Sequence, residues 1–243
     1  MPDTKPADHP RVAVVVLAAG EGRRVGAGTN KVLLPLAGVP VFAWSLRTVQ
    51  GLGYVDRVVL VVRDEDRTEI ARQVGKDVTV VVGGATRHAS EWNALQALGD
   101  DIDAGRLDVV AIHDAARPLA GAGLFAQVVD AAATYGGALP VRAMRGLVAR
   151  DVGRDGGRDG GRPAGDLVGV QTPQAFRAVE LLDAYRRAEV DGFTGTDTAS
   201  CVEAHTDLVV HGVPAPATNL KITFPDDVAL AERLLAELSV RDG

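Results

Sequence analysis

Strings of β-branched apolar residues alternate along this chain with segments whose apolar positions recur every three or four residues. Residues 11–18 (RVAVVVLA), 57–62 (RVVLVV), 78–82 (VTVVV), 107–113 (LDVVAIH) and 208–213 (LVVHGV) read as strands. Runs this continuous suit strands buried on both faces, as in parallel sheets. Helical periodicity occupies 39–52, 64–74, 87–98, 123–135, 175–188, 196–204 and 226–238. The last of these opens on Pro225-Asp226-Asp227, which places acids against the positive end of the helix dipole. Strand–helix alternation predicts an α/β fold: a mostly parallel sheet flanked on both faces by helices. One stretch breaks the rhythm. Residues 151–165 (DVGRDGGRDGGRPAG) carry an imperfect repeat with no apolar face to bury, and read as a flexible loop or arm.

In such sheets ligands bind beyond the carboxyl ends of the strands. Three segments fall there: 18–31 after the first strand, 83–90 after the third and 113–118 after the fourth. The first reads LAAGEGRRVGAGTNK from Leu17 to Lys31. Its glycines let backbone N–H groups approach phosphate oxygens, and Arg23, Arg24 and Lys31 bring charge to a polyanion. It is neither a Walker loop, since no Gly-Lys-Ser/Thr occurs, nor the dinucleotide fingerprint, since Gly26 comes one residue late after Gly20 and Gly22. A glycine-rich surface loop with solvated arginines is the plainer alternative.

At the end of the fourth strand stands HDAARP, with Asp114 at a position suited to a Mg²⁺ ligand. A turn-forming or capping aspartate is the competing reading. His113 reads as a packed, hydrogen-bonded residue, and Arg117 as a phosphate contact or a turn-holding partner. In VGGATRHAS, Gly83 and Gly84 permit close approach to a base or sugar, while Arg87 and Ser90 begin a helix whose N-terminus favours anions. Further on, Thr172 in QTPQ introduces a helix, Thr196 in GTDTAS offers a hydroxyl beside Asp197, and Lys221 sits in a short strand-like run, NLKIT. Capping, or a solvated charge, competes with a phosphate role at each.

Composition narrows the class. With 243 residues, 47% of them apolar, the chain can bury a sizeable core. A net charge of −6 argues against a nucleic-acid-coating protein. The single Cys201 excludes an internal disulfide and fits a reducing, cytosolic setting. No stretch is long and apolar enough to span a bilayer. Residues 1–10 are polar, lack the apolar core of a signal peptide and read as a disordered leader. Residues 11–240 then read as one domain, with an arm or loop region at about 141–167.

Taken in order, LAAGEGRRVGAGTNKVLLPLAGVPV, VVGGATRHAS, HDAARP, QTPQ, GTDTAS and NLKIT resemble the 2-C-methyl-D-erythritol 4-phosphate cytidylyltransferase family. The resemblance implies a Rossmann-like fold, a homodimer partly held by a protruding β-arm, and CTP, a sugar-alcohol phosphate and a divalent metal as requirements. By motif position it implies that Ala18, Ala19, Gly20, Gly22, Gly84, Arg87 and Ser90 bind the nucleotide. Arg24 and Lys31 would stabilise the α-phosphate as it becomes pentacoordinate, with Asp114 near the metal, Lys221 beside it, and Arg117, Thr172 and Thr196 on the acceptor side. Two features depart from the family pattern. Met144 stands where a threonine is expected, and Ala164 where an arginine is expected; the nearest arginines are Arg158 and Arg162. Both departures fall on the acceptor side. They leave open another polyol phosphate, such as ribitol 5-phosphate, or a diverged nucleotide-binding paralogue with weak activity.

Overall fold

The computed structural model describes residues 9–20, 30–144 and 167–241. The chain enters through β1 (Val12–Leu17) and, after a short 3-10 turn (Lys31–Leu33), makes a small hairpin, β2 (Pro35–Leu36) and β3 (Val39–Pro40). Then come α1 (Val41–Gln50), β4 (Val55–Val62), α2 (Asp64–Ala71), β5 (Val78–Val82), α3 (Arg87–Asp103), β6 (Val109–Asp114) and α4 (Ala122–Tyr135). The second half holds β7 (Gly137–Ala143), β8 (Val168–Val170), β9 (Gln174–Arg177), α5 (Ala178–Asp191), α6 (Thr198–His205), β10 (Val210–Pro214) and α7 (Asp226–Arg241).

The main sheet runs β10-β7-β9-β6-β1-β4-β5, with β8 attached to β7. β1 lies between β4 and β6 and is parallel to both, so Leu17 is level with Val61 on one side and Asp114 on the other. The two motif-bearing strand ends are thereby neighbours. Alternation along β1 divides the core. Val12, Val14 and Val16 pack on one face with Phe42, Leu46 and Phe125, while Ala13 and Val15 meet Leu95, Phe176, Leu181 and Tyr185 on the other. A third cluster of Leu36, Val41, Leu119, Ile222 and Ala231 joins the small hairpin, α1 and α7.

The α/β class and the mostly parallel sheet agree with expectation; several boundaries do not. Residues 175–177, read as the start of a helix, join Gln174 in β9, which is antiparallel to both β6 and β7 and fills the gap between them. The segment after QTPQ is therefore a strand, and its helix starts at Ala178. Pairing on both sides overrides a local composition that favours helix. β7 escaped the pattern because GALPVRA contains glycine and proline, yet it pairs with β8, β9 and β10. Residues 39 and 40 belong to the hairpin rather than to α1, across a tight turn in which Ala37 and Gly38 both take positive φ. Residues 219–223 form no strand. α2 stops at Ala71, short of its predicted end, and α3 continues past its own to Asp103.

Val141, Arg142 and Ala143 of β7 pair antiparallel with Val170, Gly169 and Val168 of β8. The 151–165 repeat and the leader up to residue 8 lie outside the described residues.

Phe176 anchors β9: it is fully buried, and its ring lies so close to Gly137 that a Cβ there would approach it to 2.6 Å. Phe176→Ala should lower unfolding free energy by about 3–5 kcal/mol in urea titrations, as for other large core truncations. A loss under about 1 kcal/mol would mean that β9 is not locked into the core.

Candidate active site

The carboxyl ends of β1, β5 and β6 surround a cavity of about 650 Å³, lined among others by Ala19, Gly20, Lys31, Gly84, Arg87, Ser90, Asp114 and Lys221. Six separate sequence segments thus converge on one space, Arg63 to Glu65 after β4 among them. Ala18 is fully buried just behind it. Gly22 and Arg24 lie outside the described residues.

The glycines after β5 are required by space. A Cβ on Gly83 would come within 2.5 Å of the Ala19 Cβ, and one on Gly84 within 2.5 Å of the Ala89 Cβ. The Gly84 N–H donates to Ser90 Oγ at 3.1 Å, and that hydroxyl donates to the Thr86 carbonyl at 2.9 Å. Thr86 caps α3 by accepting from the Ala89 N–H at 3.0 Å. The cap fixes Arg87 at the first helical position and points it along the cavity wall.

Asp114 ends β6 and is buried. Arg87 Nη1 donates to its Oδ1 at 2.5 Å, and Lys221 Nζ to its Oδ2 at 2.6 Å. Burial alone would raise the Asp114 carboxyl, but the two cations outweigh it and hold the group well below the usual carboxylate range. Arg87 is held from behind as well, its Nε donating to Glu91 Oε1 at 2.9 Å. Glu91 is fully buried and also accepts from Thr198 Oγ1 at 3.0 Å and from the Tyr185 hydroxyl. Burial pushes the Glu91 carboxyl up, opposed by Arg87, Tyr185 and Thr198; the three donors converging on it suit a carboxylate. Glu91 was absent from the sequence reading. A glutamate at the i+4 position from an arginine on a helix ordinarily signals a solvated pair, and nothing local marks it as buried.

Thr172 is buried, and its Oγ1 accepts from the Asp114 N–H at 3.0 Å. The hydroxyl proton is then available to His113 Nδ1, 3.2 Å away. That leaves the proton on Nε2, which faces the Arg117 carbonyl at 3.3 Å, so the network selects the tautomer of His113. Arg117 Nη1 donates to the Asn219 carbonyl at 2.8 Å. It lines a second cavity of about 360 Å³ with Arg142, Met144, Gly169 and Gln171. Thr196 lies ahead of the α6 cap, is exposed and lines neither cavity. Its neighbour Asp197 caps α6 and accepts from Gln174 Nε2 at 3.0 Å.

A family model described as 2-C-methyl-D-erythritol 4-phosphate cytidylyltransferase matches residues 12–237. The chain belongs to that family. Within it, the cytidylyltransferase of Symbiobacterium thermophilum is 40% identical over 230 residues, covering 93% of each protein. That of Geobacillus kaustophilus is 35% identical over 227 residues, covering 91% of this chain and 96% of the relative. The crystal structure of the Thermus thermophilus cytidylyltransferase matches with a TM-score of 0.69 and 27% identity, over 91% of this chain and 98% of that one. The fold is shared too with the 4-diphosphocytidyl-2C-methyl-D-erythritol synthase of Anaerococcus prevotii, at TM-score 0.75 and 24% identity, over 93% and 96% of the two chains. The chain is therefore a nucleotidyltransferase by family, and its α/β sheet is the family's sheet.

His113 gives this cytidylyltransferase a pH signature. Burial lowers its pKa from the ordinary 6.5 to about 4, against a raising influence from Asp114. Between those values the unfolded chain binds the proton and the folded chain does not, so stability falls as pH drops through that window. From pH 7 to pH 5 the contribution should amount to roughly 2 kcal/mol in urea unfolding. His88 is also lowered by burial and adds to the slope. A comparison with His113→Gln isolates the His113 share: an equal slope in variant and parent would refute the assignment.

Proposed function

We infer that the chain transfers a cytidylyl group from CTP to 2-C-methyl-D-erythritol 4-phosphate and releases pyrophosphate, as a step in isoprenoid precursor synthesis. The observation that carries this reading is the Asp114 carboxylate, held by Arg87 and Lys221 on the wall of a cavity that it shares with Lys31. Such a wall pairs fixed positive charge with a carboxylate, the equipment of phosphoryl chemistry.

In the proposed reaction an oxygen of the acceptor phosphate forms a bond to the α-phosphorus of CTP. The bond from that phosphorus to the bridging oxygen breaks, and pyrophosphate leaves with its electrons. The nucleophile is already an anion, so no strong base is needed, and charge neutralisation and in-line positioning do the catalysis. Lys31 and Arg24 are assigned to the α-phosphate. Ala18, Ala19, Gly20, Gly22, Gly84, Arg87 and Ser90 are assigned to the nucleotide side. Fully buried Ala18 serves through its backbone and half-buried Arg87 through the charge it holds in place. Lys221, Arg117, Thr172 and Thr196 are assigned to the acceptor side, Thr172 by positioning Asp114.

A divalent cation such as Mg²⁺ fits this donor set. Asp114 lines the main cavity, and each of its oxygens keeps lone-pair capacity beyond the bond it accepts from Arg87 or Lys221, so the carboxylate could share an ion with the triphosphate oxygens. Bound there, the ion would neutralise triphosphate charge. Residues 11–240 are proposed as one domain acting in the cytosol; among the described residues no helix is long and apolar enough to cross a membrane.

Incubation with CTP, Mg²⁺ and 2-C-methyl-D-erythritol 4-phosphate should yield pyrophosphate, while ribitol 5-phosphate run alongside should be the poorer acceptor. Lys31→Ala should lower kcat/KM by about 10²-fold or more with little change in folding. No turnover by the parent, or near-parental activity of the variant, would sink the respective claim.

A homodimer through the arm is proposed as well, supported by the exposed apolar side chains of Met144, Leu167, Val168 and Val170 around its base. Light scattering should give twice the chain mass for the parent and a shift toward monomer for Val168→Asp combined with Val170→Asp. A parental monomer would end the proposal.

A further inference from the structure

The glycine- and arginine-rich loop leaves the sheet at Ala18 and returns at Asn30, and its two ends are tied to each other. The fully buried Asn30 carboxamide donates from Nδ2 to the Ala18 carbonyl at 3.1 Å and to Asp66 Oδ2 at 2.8 Å. Its Oδ1 accepts from the Val32 N–H at 3.3 Å, capping the turn that begins with Lys31. One side chain thus holds the loop's exit, its re-entry and a third element, α2.

The third element is itself fixed. Asp66 lies in the first turn of α2, directly after β4, and is 7% exposed. Arg63 grips it with both arms of its fork, Nε to Oδ2 at 2.6 Å and Nη2 to Oδ1 at 3.0 Å. Burial would raise the Asp66 carboxyl, but hydrogen bonds from Arg63 and Asn30 overcome it and hold it low, so the group stays an acceptor. The Ala18 N–H continues the same connection by donating to the Val61 carbonyl of β4 at 2.7 Å.

We propose that Asn30 and Asp66, gripped by Arg63 on the cavity lining, form a clasp that positions Lys31 and the Ala19-Gly20 backbone for the triphosphate. The proposal rests on the reading that this loop binds the phosphates of CTP. Lys31 and Gly20 both line the main cavity, and each is within two residues of a clasped atom. A long lysine side chain reaches its target only from a fixed Cα, and an ångström of misplacement can cost two orders of magnitude in rate. Closing an excursion of this length carries an entropic cost that the clasp meets before substrate arrives, in the manner of other preorganised sites. Asn30 and Asp66 touch neither substrate nor reacting atoms and are positioning residues.

Asn30→Ala, Asp66→Ala and Asp66→Asn test this. CTP affinity is read by calorimetry, KM for CTP and for the acceptor separately, and backbone order by hydrogen exchange at residues 17–20 and 30–34. The two alanine variants should weaken CTP binding by about tenfold or more, the effect of losing one or two buried hydrogen bonds. They should speed exchange in both segments and leave the acceptor KM within about twofold. Asp66→Asn retains an acceptor oxygen for Asn30 and should restore part of the loss. Folded alanine variants with parental CTP affinity would overturn the clasp. If Asn30→Ala fails to fold, Asp66→Ala decides: parental affinity and parental exchange in that variant overturn the clasp. Failure of the parent to bind CTP would refute the reading of the loop instead, and the exchange rates would still judge the clasp.

Discussion

Two carboxylates that share one arginine hold this site together. Glu91 and Asp114 are both buried, and Arg87 lies between them with Lys221 on the far side. Alternating charges in this order cancel, which is the condition for keeping any of them away from water. Removing one member would leave its neighbour buried and unpaired, a cost of about 3–5 kcal/mol in comparable cases. The arrangement draws on most of the fold. β6 supplies Asp114, the capped first turn of α3 supplies Arg87 and Glu91, α5 supplies Tyr185, α6 supplies Thr198, and the segment before α7 supplies Lys221. Lys221, with 36% of its side chain exposed, is the most accessible member of the set. The rest of the wall is fixed in advance, which is what electrostatic preorganisation demands.

The same economy governs the back of the wall. β9 enters the sheet against the direction of β6, and the turn before it brings Thr172 to the Asp114 N–H. Thr172 therefore orders the carboxylate through the backbone, while its own proton selects the His113 tautomer. A motif that looks from the sequence like a phosphate contact acts in the fold as a brace. The antiparallel strand and the placement of the carboxylate are one structural event.

Local pattern alone revealed β1, β4, β5 and β6 because each is apolar on both faces and has no competing periodicity. The glycine segments and HDAARP were legible because their chemistry is unusual wherever it occurs. β9 was hidden since Gln174 to Arg177 carry no strand signal of their own and become a strand only by lying between β6 and β7. Glu91, Asn30 and Asp66 were hidden for a related reason. A glutamate in a helix, an asparagine before a turn and an aspartate in a first helical turn all have ordinary explanations in the local sequence. What makes them part of the site is a partner distant in sequence, Tyr185 for Glu91 at 94 residues and Asn30 and Asp66 for each other at 36, and no local rule encodes that pairing.

Among the described residues the face around the smaller cavity leaves polar atoms unpaired, as the main wall does at Arg87 Nη2. Arg117 Nε and Asn219 Oδ1 are buried without a protein partner among the described residues, although Asn219 Nδ2 donates to Gln171 Oε1 at 2.9 Å and to the Thr172 carbonyl at 3.0 Å. A buried polar atom left unpaired costs about 1–3 kcal/mol, so two of them side by side mark a place where the fold gives up stability. They adjoin the smaller cavity, whose rim carries Met144. A thioether is a weak acceptor and no donor. The polar capacity of this face therefore resides in Arg117, Arg142 and Gln171, on β7 and the loops beside it. Changes at residue 144 bear on the shape and apolar character of the rim, while changes at Arg117 bear on its charge. Because Arg117 also carries the carbonyl that faces His113, the charge of the smaller cavity and the brace behind Asp114 are joined through a single residue.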